Sequence, residues 1–430
     1  MSTLESVSNY DALKEDKSAK LLKRRDKITF FFVFVFLLFI IEIILRNPLY
    51  DLSLLIMHHI DGHSYCDYMN YLAFFEEYRG KIFLMLIIIN FKNIYAGLVF
   101  ISITEFSTFL NGILKLFYLQ PRPFWIDSGL VPCSCFVNYG NPSTTAINSI
   151  IVFIVFYRFF RKNPKTEQNS KVWNIILGSV CTFLALLTCA TRFAQYAHSL
   201  NQIFFGFGIG YSLFYLVFEI FGVEVESKHH FKYFMNNMTF KIILALLVLH
   251  IGTNIIHYLL KFDYDPQWLV VLTKYCEYIP FNFFDNESYQ KSCSIFLAIA
   301  VILSVYLEYV LIFDYDFDKF YLYNVDMKSF LKWNDTSLQI TIIRLIFSYI
   351  TFLYIDSLFL IGDVKTDSFI KLIFYRFILL NIFVGLYLFL IVKFILRYVY
   401  LTNEKIFTVV EEEKDNEKNQ KMIDERKENN

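Results

Sequence analysis

The chain has 430 residues, of which 56% are hydrophobic and only 19% are charged. Its apolar residues occur in long runs rather than at amphipathic spacing, which is typical of a protein embedded in a lipid bilayer. Forty Lys and Arg residues balance forty Asp and Glu residues, so bulk charge gives no reason to expect nucleic-acid binding. The predicted fold is an all-α, polytopic transmembrane helix bundle.

The chain opens with a basic tail, residues 1–27, which ends in "KLLKRRDK". The first predicted span, 28–45, reads "ITFFFVFVFLLFIIEIIL". Its apolar core is longer than that of a signal peptide and no small-residue cleavage site is present, so we expect the helix to be retained. With the loop after it, this span forms a predicted segment 28–71.

About ten spans are predicted in total, because each needs about 20 apolar residues. The second is the weakest, since its first half carries Glu76, Glu77 and Arg79. Residues 223–400 are predicted to hold additional transmembrane helices of unknown role, and the charged tail 401–430 to be disordered in the cytosol. The spans after the first are 72–91, 94–118, 143–160, 172–191, 200–222, 239–260, 292–314, 338–361 and 369–397.

Orientation follows from the Lys and Arg residues beside the spans. Basic residues precede the first span and follow the fourth, in "YRFFRKNPK", which predicts that both termini are cytosolic. The loops 119–142 and 192–199 then lie together on the opposite, lumenal or extracellular face. The glycosylation sequon at Asn286 is expected on that face too.

Five of the seven cysteines fall in or beside loops assigned to the non-cytosolic side, where oxidation is possible. At most two disulfides can form among five cysteines. The C-S-C spacing is unlike a zinc knuckle, so no metal site is predicted. The five cysteines are Cys66, Cys133, Cys135, Cys276 and Cys293.

A pair of cations ends the third predicted span. Lys115 and Arg122 are seven residues apart, which puts both on nearly the same stripe of a helix, and Pro121 and Pro123 then stop that helix. Cations in or beside a bilayer usually have an anionic partner. For either residue alone, snorkelling of Lys115 or contact of Arg122 with a lipid headgroup is the preferred explanation.

Two further motifs are predicted on the same side. Ser143 and Thr144 follow a proline at the start of the fourth span, where free backbone N–H groups bind anions, although the motif is also an ordinary helix cap. His198 follows Arg192 by six residues and precedes Gln202 by four. Gln202 can therefore hold one ring nitrogen while the other acts as a phosphoryl nucleophile.

Together these motifs resemble the three signatures of the type 2 phosphatidic acid phosphatase and haloperoxidase superfamily, over about residues 72–222. The run "YGNPST" looks like the sphingosine-1-phosphate phosphatase form of the second signature, and Gln202 is similar to glucose-6-phosphatase. The resemblance implies that His198 forms a phosphohistidine and that Lys115, Arg122 and Arg192 bind the phosphate with Ser143 and Thr144. It implies no cofactor.

One position departs from the family pattern. The residue that should be a histidine, and should protonate the leaving group, is Thr145. Three readings stay open: a slow or leaving-group-selective phosphatase, an enzyme whose acid comes from elsewhere, and a catalytically inactive phospholipid-binding or scaffold protein. Another proton donor is sought in "MHHIDGH", which supplies His58, His59 and His63.

A transporter is the alternative from another class, with His250, His257 and Arg344 lining a path. For the phosphatase, a site in the bilayer favours a lipid phosphate of the sphingoid-base or phosphatidate type, whereas a lumenal loop also admits soluble phosphoesters. The expected partners are that substrate and membrane lipids. The expected location is the endoplasmic reticulum or another endomembrane, with the site facing the lumen.

Overall fold

The structure is a computed structural model built of α-helices and the π-helical turns Leu216–Ile220 and Phe234–Met238, with no strand among the residues it describes. The described residues are 2–60, 66, 69, 74, 78–136, 138–164, 169–224, 227–260, 266–276, 294–313, 337–361 and 379–388. The helices are α1 (Ser2–Met57), α2 (Tyr78–Phe91), α3 (Ile94–Tyr118), α4 (Pro123–Ile126), α5 (Thr144–Phe160), α6 (Ser170–Ala194), α7 (Leu200–Tyr215), α8 (Lys228–Tyr233), α9 (Thr239–Leu260), α10 (Pro266–Tyr275), α11 (Ile295–Phe313), α12 (Leu338–Ile361) and α13 (Leu380–Leu386).

The prediction of an all-α polytopic protein is confirmed. Within the described part of the chain, six helices are long and apolar enough to cross a membrane. Two shorter apolar helices, Thr144–Phe160 and Ile295–Val310, match further predicted spans. The weak second span is a helix of only 14 residues, α2. Most of the last predicted span, the sequon at Asn286 and the tail 401–430 lie outside the described residues.

The first helix does not end at residue 45 as predicted, but continues through Pro48 to Met57. The charge at the predicted end is accommodated inside the helix, because Arg46 donates two hydrogen bonds to Glu42 one turn earlier, at 2.8 and 2.6 Å. Beyond this point Ser53 accepts a hydrogen bond from the Leu200 N–H at 2.8 Å. Tertiary contacts therefore support a turn that the sequence assigned to a loop.

The chain divides into two compact units, while the predicted 72–222 domain stays a prediction. The first comprises Met1–Glu77, Leu110–Glu224 and Leu260–Ser288. Within it α5 packs against α6 and α7, and α1 packs against α7. Gly206 and Gly210 permit the approach of α7 to α5, since a Cβ on either would lie 2.8 or 2.9 Å from a backbone oxygen of α5 or its cap. This contact brings the starts of α5 and α7 together.

The second unit comprises Tyr78–Phe109, Val225–Leu259 and Tyr289–Asn430. It has its own buried ion pair, in which Lys81 Nζ lies 2.9 Å from Glu105 Oε1. Two residues of the transporter alternative, His250 and Arg344, are buried in this unit, and Arg344 donates a hydrogen bond to Asn90. The side chain of His257 lies outside the described residues.

Candidate active site

Three connecting segments of the first unit meet at one end of its helices. The Gly140 N–H donates to the Gln120 carbonyl at 2.8 Å, and the Ser143 N–H donates to the Gln202 carbonyl at 3.0 Å. The segments after α3, before α5 and before α7 thus form one surface. This arrangement brings together the side chains that the sequence motifs single out.

Lys115 lies in the last turn of α3 and is fully buried. Its Nζ donates to Asn138 Oδ1 at 3.0 Å and to the Tyr139 carbonyl at 2.5 Å. Both acceptors are neutral oxygens, so neither cancels the charge of the ammonium group. A buried ammonium group held in this way is suited to bind an anion.

Arg122 does not continue the helical stripe of Lys115 as predicted, because α3 ends at Tyr118. It precedes the short helix α4 in an extended conformation and is 2% exposed. Its Nε donates to the Asn138 carbonyl at 2.7 Å, and its Nη1 donates to the Ala197 carbonyl at 2.7 Å. The same Nη1 lies 3.2 Å from His198 Nε2, and Nη2 donates to Asn138 Oδ1. The guanidinium is therefore fixed between two of the segments and directed at the histidine.

Arg192 supplies a third cation from the last turn of α6 and is 7% exposed. Its Nη1 donates to Gln195 Oε1 at 2.9 Å. Its Cζ lies 5.1 Å from the centre of the Phe136 ring, while the Cζ of Arg122 lies 4.9 Å from the same centre. Both guanidinium groups thus use one aromatic ring.

His198 is buried, at 3% exposure, between α6 and α7. Its Nδ1 lies 3.0 Å from the Gly140 carbonyl and 3.3 Å from Gln202 Oε1. Because both are acceptors, the proton belongs on Nδ1, and Nε2 keeps the lone pair that faces Arg122. Sequence reasoning assigned the hold on the ring to Gln202 alone and missed the closer carbonyl of Gly140.

The environment of His198 favours the neutral imidazole. Burial lowers its pKa well below the ordinary value, and the positive charges of Arg122, Lys115 and Arg192 lower it further, whereas the hydrogen bond with Gln202 raises it. A lowered pKa leaves the ring unprotonated at neutral pH, and its Nε2 lone pair accepts from Arg122 Nη1. This is the state that a nucleophile requires.

Gln202 is fully buried and supports more than the histidine. Its Oε1 also accepts from the Ser199 N–H at 3.2 Å, and its Nε2 donates to the Pro121 carbonyl at 2.9 Å. Gly140 lies against this amide, since a Cβ added there would be 2.4 Å from Gln202 Nε2. The glycine is therefore needed for the close approach of the loop to Gln202.

Helix α5 begins at the predicted anion-binding motif. Ser143 caps it by accepting a hydrogen bond from the Ala146 N–H at 3.3 Å. Thr144 donates from its hydroxyl to Asn111 Oδ1 at 2.6 Å. Thr145 is the second helical residue and is 5% exposed, so its backbone N–H lies in the first turn, where helix geometry supplies no acceptor.

Two of the histidines considered as replacement acids, His58 and His59, lie apart from these contacts. His58 Nε2 pairs with Asp127 Oδ2 at 2.7 Å, and the His58 side chain is about half exposed, at 51%. His59 is exposed, and His63 lies outside the described residues. No described contact joins His58 to a cation of the site.

Cysteines join the same end of the unit. Cys66 is bonded to Cys133, and Cys135 is bonded to Cys276. Cys293 lies outside the described residues. In the part of the chain that the structure describes, no group of three or more His, Cys, Asp or Glu side chains is arranged to hold a metal ion.

Several supporting residues were not found from the sequence. Glu42, inside the first span, accepts a hydrogen bond from Asn141 Nδ2 at 2.7 Å. A carboxylate within an apolar run was a signal of this role, because such groups are costly in a bilayer unless paired. Asn138 and Phe136 carry no comparable signal, since no spacing rule relates them to the cations that they contact.

One comparison with known protein families matches the region that contains the site. Residues 95–225 match the family model of the PAP2 superfamily. The matched range contains all three motifs that build the site, from Lys115 to Gln202. No curated protein and no solved structure gives a significant match. The PAP2 match and the long apolar helices together support a membrane phosphatase in general terms.

Proposed function

We propose that the protein is an integral membrane phosphatase that hydrolyses a phosphorylated lipid, of the sphingoid-base phosphate or phosphatidate type, through a phosphohistidine on His198. The observation that carries the proposal is the orientation of this ring. Its Nδ1 is held by the Gly140 carbonyl and Gln202 Oε1, while its Nε2 lies 3.2 Å from Arg122 Nη1. The nucleophilic nitrogen is directed toward a phosphate-binding cation.

In this mechanism the phosphate oxygens take hydrogen bonds from Lys115, Arg122 and Arg192 and from the N–H groups at the start of α5. His198 Nε2 attacks phosphorus as the bond from phosphorus to the leaving oxygen breaks. Charge develops on the phosphoryl oxygens in the transition state, where fixed cations contribute most. Water then attacks the phosphohistidine and releases inorganic phosphate.

The leaving group is the weak point of this reaction. Thr145 occupies the position where the family places a histidine, and a threonine hydroxyl is too weak an acid to protonate an alkoxide at neutral pH. A positioned general acid contributes roughly 10²–10⁴ in rate. We therefore expect slow hydrolysis of alkyl phosphates and better hydrolysis of esters with good leaving groups.

A non-catalytic PAP2-like protein that binds phospholipid is the second candidate, and Thr145 is the observation that favours it. Retention of the oriented His198 favours the enzyme instead, because binding alone does not require a neutral, oriented imidazole. The two candidates predict the same anion binding and differ only in phosphate release.

We further propose that the site faces the lumen of an endomembrane such as the endoplasmic reticulum. The support is chemical, because disulfides persist in oxidising compartments, and Cys133 and Cys135 lie in the segment that borders the site. In sealed microsomes an impermeant maleimide should label Ser128→Cys only after opening, and Lys165→Cys before it. The reverse pattern would contradict this orientation.

The enzymatic proposal is tested by phosphate release from the purified full-length chain in lipid nanodiscs. The panel contains a sphingoid-base phosphate, a phosphatidate, glucose 6-phosphate and p-nitrophenyl phosphate. We expect release that vanadate inhibits and that His198→Ala abolishes, with His230→Ala in the second unit as the matched control. Activity that survives in His198→Ala would exclude the phosphohistidine, and vanadate binding without any release would favour the binding protein.

A further inference from the structure

A short segment before the second motif contacts every cation of the site. It consists of Cys133 to Phe136 together with Asn138 and Tyr139, and we name it the cradle segment. Apart from Tyr139, which opens "YGNPST", it lies outside the three signatures, and these residues carry no charged side chain. Among the contacts described above, neutral groups of this segment, and no carboxylate, hold the three cations Lys115, Arg122 and Arg192.

Asn138 joins the two cations of the first motif. Its Oδ1 accepts from Lys115 Nζ at 3.0 Å and also from Arg122 Nη2. Its backbone carbonyl accepts from Arg122 Nε at 2.7 Å, and the residue is fully buried. A neutral amide oxygen thus bridges an ammonium and a guanidinium group while leaving their summed charge unchanged.

Phe136 joins the first cation pair to the third cation. The ring centre lies 4.9 Å from Arg122 Cζ and 5.1 Å from Arg192 Cζ, so one ring serves guanidinium groups from two separate segments. The electron-rich face of an aromatic ring attracts cations and adds no formal charge. A carboxylate in this place would hold the arginines equally well but would compete with phosphate.

The backbone of the cradle segment is fixed from several directions. Cys133 is bonded to Cys66, and Cys135 is bonded to Cys276 just after α10. The Phe136 carbonyl accepts from Trp125 Nε1 at 3.1 Å. The partners at Cys66 and Cys276 lie outside residues 95–225 of the PAP2 match. Parts of the chain beyond the matched region therefore hold the segment against the phosphate site.

We propose that Asn138 and Phe136 are positioning residues that set the relative placement of Lys115, Arg122 and Arg192 while keeping the site positively charged. The inference rests on the proposed phosphate-binding function of these cations. Both residues act through the cations, and their neutrality is the property that matters.

Asn138→Asp tests the neutrality directly. The carboxylate has nearly the same shape as the amide and accepts the same two hydrogen bonds, so the fold should keep or gain thermal stability. The new negative charge beside Lys115 and Arg122 should nevertheless weaken binding of orthovanadate by at least about tenfold. A purely structural role would move stability and anion binding in the same direction.

Phe136→Leu tests the ring. Leucine keeps an apolar side chain but removes the π face, and vanadate binding should weaken by about three- to tenfold. Phe136→Tyr keeps the ring and should restore binding to near the wild-type value. Asn174→Asp provides the matched charge control. Asn174 is hydrogen-bonded to the backbone of Lys162 and lies near the opposite end of α6 from Arg192.

The experiment measures orthovanadate affinity by calorimetry and Tm by scanning fluorimetry on the full-length chain in nanodiscs. Weaker binding with unchanged or higher Tm in Asn138→Asp, together with rescue in Phe136→Tyr, is the expected result. Equal affinity in wild type and Asn138→Asp, or parallel losses of affinity and Tm in all variants, would overturn the positioning role.

The two proposals fail in different ways. Wild-type protein that binds vanadate, responds to Asn138→Asp and releases no phosphate would remove the phosphatase and leave the positioning role standing. Wild-type protein that does not bind vanadate would overturn both, because the cations would then not form an anion site.

Discussion

Replacing Gly140 by alanine should damage the site through a single methyl group. The added Cβ would lie 2.4 Å from Gln202 Nε2 and 2.5 Å from Gln202 Oε1, distances that real Cβ atoms do not show. Either the loop or the Gln202 amide must move. Each movement disturbs His198, because the Gly140 carbonyl and Gln202 Oε1 are both acceptors for its Nδ1.

The magnitude follows from these contacts. Overpacking of a close-packed interior costs about 1–3 kcal/mol, and each buried hydrogen bond lost adds about 0.5–1.5 kcal/mol. Gln202 makes such bonds to Ser199, Pro121 and His198, so we expect a total loss of about 2–4 kcal/mol in stability. Loss of the ring orientation should lower kcat by about 10–100-fold.

The assay combines Tm with kcat for p-nitrophenyl phosphate, which has a good leaving group. Gly178→Ala is the matched control, since its Cβ would meet the Tyr157 ring at an ordinary 3.4 Å and alanine favours a helix by about 1 kcal/mol. In the double variant Gly140→Ala/Gln202→Ala the clash is absent. It should therefore be no worse than Gln202→Ala alone.

Two outcomes would refute this reasoning. The first is Gly140→Ala protein with the Tm and kcat of wild type, which would mean that the loop yields without moving Gln202 or His198. The second is strict additivity in the double variant, which would place the damage somewhere other than the contact between these two residues.

The other predictions concern the acid, the nucleophile and the support of the loop. Thr145→His should raise the turnover of alkyl phosphates by roughly 10²–10⁴ and the turnover of p-nitrophenyl phosphate far less. Equal effects on both substrates in steady-state assays would mean that residue 145 does not protonate the leaving group. Because the pKa of His198 is lowered, its ring stays neutral as the pH falls through about 6.5. The fall of kcat/KM at acid pH should therefore follow protonation of the substrate phosphate near pH ~6 and show no ionisation of an enzyme group near ~6.5. Glu42→Met should lower the Tm, because it removes the carboxylate that pairs with Arg46 and accepts from Asn141 Nδ2. The double variant Glu42→Met/Arg46→Met should regain part of the lost Tm. A double variant less stable than Glu42→Met would contradict the pairing.

The sequence by itself determined that the protein is embedded in a bilayer and that its fold is all-α, and it predicted the residues of the candidate site. Runs of about 20 apolar residues specify membrane helices regardless of their partners, because backbone groups in a bilayer must be satisfied within the helix. The spacing of His198 and Gln202 is likewise local, whereas the helical stripe predicted for Lys115 and Arg122 is wrong, because α3 ends at Tyr118 and Arg122 has an extended backbone. Local signals of this kind can be recognised from the order of residues along the chain.

The C-terminal end of α1 could not be predicted from such local signals. The apolar run stops at residue 45, yet the helix reaches Met57. Its last turns are supported by the hydrogen bond that the Leu200 N–H donates to Ser53 Oγ across 147 residues. Ser53 alone, in the sequence of the helix, does not indicate this distant partner.

Only the tertiary structure decided how the site is held. Arg122 contacts the Ala197 carbonyl across 75 residues and Asn138 Oδ1 across 16, and Phe136 meets two arginines from different segments. The pairing of Cys133 with Cys66 and of Cys135 with Cys276 is one choice among several that sequence leaves equal. Such contacts depend on the path of the connecting segments in space, and that path is set by the packing of α5 against α7 rather than by spacing along the chain.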